Sequence, residues 1–203
     1  MAFDSFLTRR FDLALQLASA LHHDQARKTG SASEHQVPYV AHLLSVCALV
    51  LENGGDEDLA IAALLHDAVE DQGGEPTLQT IRQLFGDRVA SIVDGLTDKS
   101  DDNYRDERDW KERKDKYIAH LKSAPEEVRL VAAADKLHNA RSILSDYRRI
   151  GDQLWSRFHA GKDAQLWYYE ALVTAFATGS QNRLTAELAS VVNDLKTEVN
   201  RRR

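Results

Sequence analysis

Ala62-Ala63-Leu64-Leu65-His66-Asp67-Ala68-Val69-Glu70-Asp71 is an apolar run that ends in an adjacent His-Asp pair and, after two more apolar residues, an adjacent Glu-Asp pair. Burying an imidazole and carboxylates on such a scaffold is unfavourable without hydrogen bonds, partners or a cation. A bound metal ion would offset that penalty. If the run is one helix, residues four apart share a face, so His66 stands over Glu70 and Asp67 over Asp71. Potential ligands then form one layer and acid/base groups the next. A second His-Asp pair, His23-Asp24, lacks both the apolar approach and the Glu-Asp sequel and runs straight into Gln25-Ala26-Arg27-Lys28. It reads as a decoy, because a dipeptide carries weight only in context.

The composition sets the frame for this run. With 203 residues, 43% of them hydrophobic, the chain suits one medium domain with a substantial core. Only 3 Pro and 10 Gly stand against many Ala, Leu, Arg, Glu and Asp, so the expected class is all-α. The single cysteine, Cys47, lies in the apolar stretch Leu43 to Val50 and reads as a small core residue, with no disulfide available within the chain. The start, Met1-Ala2-Phe3-Asp4, has no basic segment leading into a long apolar run. No segment approaches ~18 uninterrupted apolar residues. The expectation is a soluble, cytoplasmic protein with no membrane partner. A net charge of −6 argues against nucleic acid as a partner, since such binding draws on a basic face. A phosphorylated small molecule fits better, held by local cations at Arg27-Lys28, Lys111 to Lys116 and Arg141.

Helical spacing and punctuation divide the chain. A first helix is expected from about Phe3 to Ala26, ended by Gly30-Ser31-Ala32-Ser33. Pro38 opens a second, carrying His42 and running to about Glu52 before Asn53-Gly54-Gly55. Asp56 caps a third, which bears His66 to Asp71 and breaks at Gly73-Gly74. Thr77 caps a fourth that ends at Gly86, and Asp87 caps a fifth that reaches about Leu96. The polar stretch Asp98 to Asn103 reads as an exposed lid. A charged helix is expected from about Asp109 to Leu121, and another from Pro125 through Val128 to Ala134, ending its apolar run at Asp135 with His138, Asn139 and Ser142 at helical steps beyond. Residues 153–178 and 181–200 read as two C-terminal helices, the first rich in aromatics such as Trp155, Trp167, Tyr168 and Tyr169, which suit a core better than a base-stacking platform.

Neutral imidazoles and carboxylates from His42, His66, Asp67 and Asp135 suit Mn²⁺, Fe²⁺, Zn²⁺ or Mg²⁺, and no thiolate is at hand for softer sites. Two His and two Asp leave open positions on an octahedral ion, where water becomes acidic enough to attack phosphorus near neutral pH. Glu70 and Asp71 would position that water or carry its proton. Taken singly these residues have plainer readings: His42 as a satisfied core histidine, Asp135 as a buried cap, Glu70-Asp71 as a solvated turn, and the basic clusters as exposed faces.

In order, His42, His66-Asp67 and Asp135 match the H…HD…D signature of HD-domain metal-dependent phosphohydrolases. Four blocks extend the likeness: His22-His23-Asp24-Gln25-Ala26-Arg27-Lys28-Thr29-Gly30, Pro38-Tyr39-Val40-Ala41-His42, the His66 to Asp71 stretch, and Ala134-Asp135-Lys136-Leu137-His138-Asn139-Ala140-Arg141. Together they resemble the hydrolase domain of the RelA/SpoT homologues over most of residues 10–150. No synthetase or regulatory domain fits the remaining length, so the chain resembles a stand-alone small alarmone hydrolase.

The resemblance implies an HD-domain helical bundle with two additional C-terminal helices, one hydrolase domain over residues 1–203 with its motif-bearing core at about 10–150. It implies Mn²⁺ held by His42, His66, Asp67 and Asp135, with Glu70 and Asp71 catalytic. The implied substrate is a purine nucleotide 3′-pyrophosphate, (p)ppGpp or (pp)pApp, cleaved to pyrophosphate and the 5′-phosphorylated nucleotide. By motif position Arg27 and Lys28 line the base pocket, and Asn139 and Ser142 meet the nucleoside; a phosphate role is extended to Arg113 and Lys114 from charge alone. Two departures lie near the base: the loop Ser31 to Val37 is longer than the family's, and Asp24 replaces a small residue. Guanine and adenine both stay open, as does a homo-oligomer. The alternatives are an HD phosphohydrolase of ordinary 5′-nucleotides and a nucleotide-binding HD module without turnover.

Overall fold

The computed structural model describes residues 7–27, 36–97, 107–179 and 182–202. Among these residues there is no strand, and the all-α expectation holds. One isolated antiparallel bridge pairs Ala26 with Pro38. The expected lid, Asp98 to Asn103, and Lys28 lie outside the described residues. The chain divides into two compact units, one comprising Met1–Asp98 with Leu130–Ala134, the other Lys99–Arg129 with Asp135–Arg203.

The first unit is built around α3, Glu57–Leu65. Every residue from Leu59 to Leu65 is buried. A helix apolar on all sides must be wrapped on all sides, and α3 packs against α1 (Arg9–Leu21), α2 (Val40–Glu52) and α6 (Asp87–Leu96). Asp56 caps it as the sequence predicts, accepting from the Leu59 N–H at 3.0 Å. Arg10 ties α1 to the start of α3 through Asp58 at 2.8 Å, and reaches the Phe85 carbonyl at 2.8 Å where α5, Glu75–Phe85, ends. On α2 the buried side chains His42, Val46, Val50 and their neighbours Leu43 and Cys47 form one stripe. Burial pushes the Cys47 thiol up to about 11, which suits a core residue and not a nucleophile.

Several boundaries differ from those the sequence suggests. Pro38 sits in the bridge and α2 begins at Val40, the Tyr39 N–H, which no helix would use at its start, donating to the Gln25 carbonyl at 2.9 Å. Thr77 is not a cap: α5 starts at Glu75 behind Gly74 (φ +62°), with Pro76 in its first turn, and the Thr77 hydroxyl donates instead to the Gln72 carbonyl. Asp87 is the first residue of α6, and Gly86 (φ +89°) makes the turn before it.

In the second unit α7 (Glu107–Ser123) packs on α9 (Gly161–Phe176), as do a 3₁₀ segment, Gly151–Arg157, and α10 (Arg183–Arg201). The expected helix 153–178 is thus two pieces, parted at Gly161 (φ +70°). Of its aromatics Trp155, Tyr168, Tyr169 and Phe176 are buried, as expected of a core, whereas Trp167 is only half-buried, with Lys111 Nζ 3.9 Å from its ring centre. Helix α8, Glu126–Ile150, follows Pro125 and runs well past Asp135. Arg129 on α8 donates to the Leu121 carbonyl at 2.6 Å and the Phe176 carbonyl at 3.0 Å, placing a cation at the carbonyl ends of α7 and α9.

The α3 cap yields a stability test. Partial burial pushes the Asp56 carboxyl up, but the Leu59 N–H and the Arg88 guanidinium outweigh it and hold the group below the ordinary carboxylate range. Asp56→Ala is expected to lower stability by about 1 kcal/mol at neutral pH. A carboxyl depressed in the folded state contributes fully above its unfolded pKa and loses that contribution as pH falls through the folded value, so the difference should vanish in acid. Urea unfolding of both proteins at neutral and acidic pH measures it.

Candidate metal and acid–base site

The helix that buries Leu59 to Leu65 stops where the chemistry begins. His66 (φ −60°, ψ −33°) and Asp67 (φ −96°, ψ −3°) form a turn, and the four-residue helix α4, Ala68–Asp71, follows. The continuous helix expected through Asp71 is therefore interrupted. At the interruption His66 Nδ1 lies 2.8 Å from the Ala63 carbonyl, a side-chain bond that competes with the backbone ladder. The Asp71 N–H still donates to the Asp67 carbonyl at 2.9 Å, preserving the four-residue relation of that pair. His66 is buried and Glu70 exposed, so those two occupy different depths and do not form a layer.

A carbonyl can only accept, so His66 Nδ1 carries the proton and, in the neutral ring, Nε2 presents a lone pair. That nitrogen lies 2.9 Å from Asp67 Oδ2. His42, from the first turn of α2, brings its Nε2 to 3.7 Å from the same oxygen, and the two imidazoles meet edge to face with centroids 5.1 Å apart. The ligand atoms of His42, His66 and Asp67 all fall within 4.8 Å of one another. The Nε2 lone pair of a neutral His66 facing a carboxylate oxygen is repelled unless a proton or cation lies between them. The donor set fits a divalent first-row ion. Both histidines are nearly inaccessible, and Tyr39 donates its hydroxyl to Asp67 Oδ2 at 2.5 Å, the kind of outer hydrogen bond that would orient the carboxylate were it to ligate an ion.

Beside this group lies a second carboxylate. Asp71 Oδ2 accepts from Gln25 Nε2 at 2.7 Å, and Gln25 Oε1 accepts from Gln72 Nε2 at 2.9 Å. An open depression of about 390 Å³ is lined in part by Gln25, Asp71 and Gln72. Although its surface is open to solvent, Asp71 is crowded: desolvation and then the charge of Asp67 raise its carboxyl above the ordinary range, against the opposing pull of Gln25 and of His22 and His66. Such a poised carboxylate suits proton transfer.

The remaining candidates are placed separately. Arg27 is half-buried and gives its backbone N–H to the Val37 carbonyl at 2.9 Å. Asp135 belongs to the second unit, where its oxygens accept from Lys136 Nζ at 2.6 Å and Asn139 Nδ2 at 2.5 Å. Burial opposes the charge of Lys136, but Asp135, with Tyr117 and Tyr168 near, holds its pKa well above the lysine range. The Ser142 hydroxyl donates to the His138 carbonyl at 3.0 Å. In the same unit Lys114 lies 5.3 Å from the Tyr168 ring centre, and Arg113 is half-buried. The decoy pair is what it resembled, His23 and Asp24 side chains being 83% and 100% exposed. The sequence gives no role to Tyr39, Gln25 or Lys136, although all three lie in the blocks that carry the family resemblance.

Residues 14–165 match the family described as HD domain. The chain belongs to the HD-domain family. Within it, the chain is 34% identical over 130 residues to a probable guanosine-3′,5′-bis(diphosphate) 3′-pyrophosphohydrolase of Synechocystis, covering 64% of this chain and 16% of that one. It is 36% identical over 135 residues to a GTP pyrophosphokinase of Streptomyces coelicolor, covering 66% and 15%. The match thus spans about a sixth of these longer relatives. A solved metazoan ortholog of SpoT, described as hydrolysing ppGpp, superimposes with a TM-score of 0.71 at 25% identity, covering 92% of this HD-domain chain and 95% of that one.

The ligand geometry predicts a graded loss. Asp67→Ala should abolish measurable divalent-ion binding, whereas Tyr39→Phe, which removes only the outer hydrogen bond, should weaken it by about 10-fold. Calorimetric titration with Mn²⁺ compares them; equal affinity in wild type and Asp67→Ala would refute the assignment.

Proposed function

We propose that this HD-domain protein is a Mn²⁺-dependent alarmone hydrolase that removes the 3′-pyrophosphate of a purine nucleotide, (p)ppGpp or (pp)pApp. The observation that carries the reading is the convergence of His42, His66 and Asp67 beside the poised Asp71. The two named relatives differ in activity, one a hydrolase and one a pyrophosphokinase, but they extend far beyond the matched segment. The metazoan SpoT ortholog is nearly covered by this chain, which favours hydrolysis for residues 1–203 acting as one domain.

In this proposal His42, His66, Asp67 and Asp135 hold the ion, Asp135 being assigned from the order of the sequence blocks. When bound, a divalent ion supplies positive charge that acidifies water and offsets charge developing on phosphate. Glu70 and Asp71 orient the attacking water and take its proton. A bond forms from the water oxygen to the phosphorus nearest the ribose, the bond from that phosphorus to the 3′-oxygen breaks, and the 3′-oxygen leaves with a proton. Arg27 and Lys28 line the base, and Asn139 and Ser142 meet the nucleoside. Arg113 and Lys114 are proposed to contact phosphate.

Purified protein with Mn²⁺ should release pyrophosphate from ppGpp, pppApp or both. Release from neither, or phosphate release from a panel of 5′-nucleotides instead, overturns the reading. Glu70→Gln should retain the ion while losing on the order of 100-fold in kcat. A base must be ionised to act, so kcat should fall in acid as the Asp71 carboxyl takes up a proton. Asp71→Asn should leave a low residual rate without that limb, as a pH–rate profile of the two proteins would register.

A further inference from the structure

Past the end of α1 the chain doubles back on itself. The Gln25 N–H donates to the His22 carbonyl at 3.1 Å, the Gln25 carbonyl accepts from the Tyr39 N–H at 2.9 Å, and the Ala26–Pro38 bridge lies beside them. This backbone arrangement presses His22 against the site. Its ring is buried and stacks on Tyr39, with centroids 5.1 Å apart and planes 22° from parallel. Its Nδ1 lies 2.6 Å from Gln25 Oε1, while its buried Nε2 meets no hydrogen-bond partner among the described residues. The contact at Nδ1 is therefore the hydrogen bond that selects its tautomer.

The Gln25 amide has one orientation that satisfies all its neighbours. An ionised Asp71 only accepts, so the amide nitrogen must face Asp71 Oδ2, and the amide oxygen then faces His22 Nδ1 and the donating nitrogen of Gln72. We propose that His22 and Gln25 are a positioning pair: the Nδ1–H of His22 locks the Gln25 amide, whose N–H in turn holds the Asp71 carboxylate in its working orientation. The inference rests on the reading of Asp71 as a proton carrier. Asp71 needs such a hold because it ends a four-residue helix, too short to fix a side chain by itself, and lies open to solvent. Misplacement by about 1 Å can cost a reaction 100-fold. The same buried ring also backs Tyr39, whose hydroxyl holds Asp67. One histidine thus braces the donors to both carboxylates.

The test combines a spectrum with a set of variants. Long-range proton–nitrogen NMR of the wild-type chain should show His22 as the Nδ1–H tautomer; the Nε2–H tautomer would overturn the pairing. His22→Phe keeps a stacking ring without the donor, and Gln25→Met keeps the volume without the amide. Each is expected to lower kcat about 10-fold while KM and Mn²⁺ affinity stay within about twofold. The double variant should be no slower than either single one, and His22→Asn, which returns a donor near the Nδ1 position, should recover most of the rate. Losses that multiply in the double variant, or that fall on KM alone, would refute it. If the wild type cleaves neither ppGpp nor pppApp, the functional reading fails while the tautomer still judges the pair. That spectrum needs no variant to fold.

Discussion

The hydrogen bond from His66 Nδ1 to the Ala63 carbonyl is the constraint on which the site depends. It forms where a fully buried helix runs out of apolar residues, and it does two things at once. By using a backbone carbonyl it joins the imidazole to the helix end, and by placing the proton on Nδ1 it commits Nε2 to be an acceptor facing Asp67. Remove that bond and the ring is free to turn, present its other nitrogen, or protonate and pair with Asp67 as an ordinary ion pair. A metal-binding imidazole needs that choice made in advance. Here it is made by α3, whose burial on every side leaves its end no freedom to shift.

Around this centre the two site carboxylates are oriented by neutral donors. Tyr39 holds Asp67 and Gln25 holds Asp71, and neither brings a charge of its own. Neutral donors orient an acid without neutralising it. A lysine in either place would compete with a divalent ion for the carboxylate and add positive charge beside the ligands. The second unit follows a different rule at Asp135, where Lys136 is held charged in a buried setting against the carboxylate and the Tyr117 ring. A buried ion pair of this kind gains little net stability but makes breaking either partner unfavourable. For Asp135 to hold the proposed ion, its carboxylate would have to exchange Lys136 for the metal.

The same economy of local charge reconciles a net charge of −6 with the polyanionic substrate proposed above. The proposed contacts depend on short-range cations and hydrogen-bond donors, with the ion's own charge dominating the reacting end.

The helical class, the buried third helix, its Asp56 cap and the core role of Cys47 were all legible in the chain, because each follows from residues within a few positions of one another: an unbroken apolar run, an acid just before it, few Gly and Pro. His42, His66 and Asp67 stood out as candidate ligands because residue types with metal chemistry are conspicuous where they interrupt a core, and the structure brings their ligand atoms within 4.8 Å of one another. The break at His66–Asp67 was not, since it rests on a side chain choosing a carbonyl over the helical register. Nor were the roles of Tyr39, Gln25 and His22. Glutamine and tyrosine are ordinary on any surface, and only the backbone pairing of Ala26 with Pro38 brings them beside Asp71 and Asp67 as donors. Sequence thus determined which atoms could do the chemistry, through local composition and periodicity. Tertiary structure alone decided their protonation and aim, because a hydrogen bond between residues distant in the chain has no signature in either one.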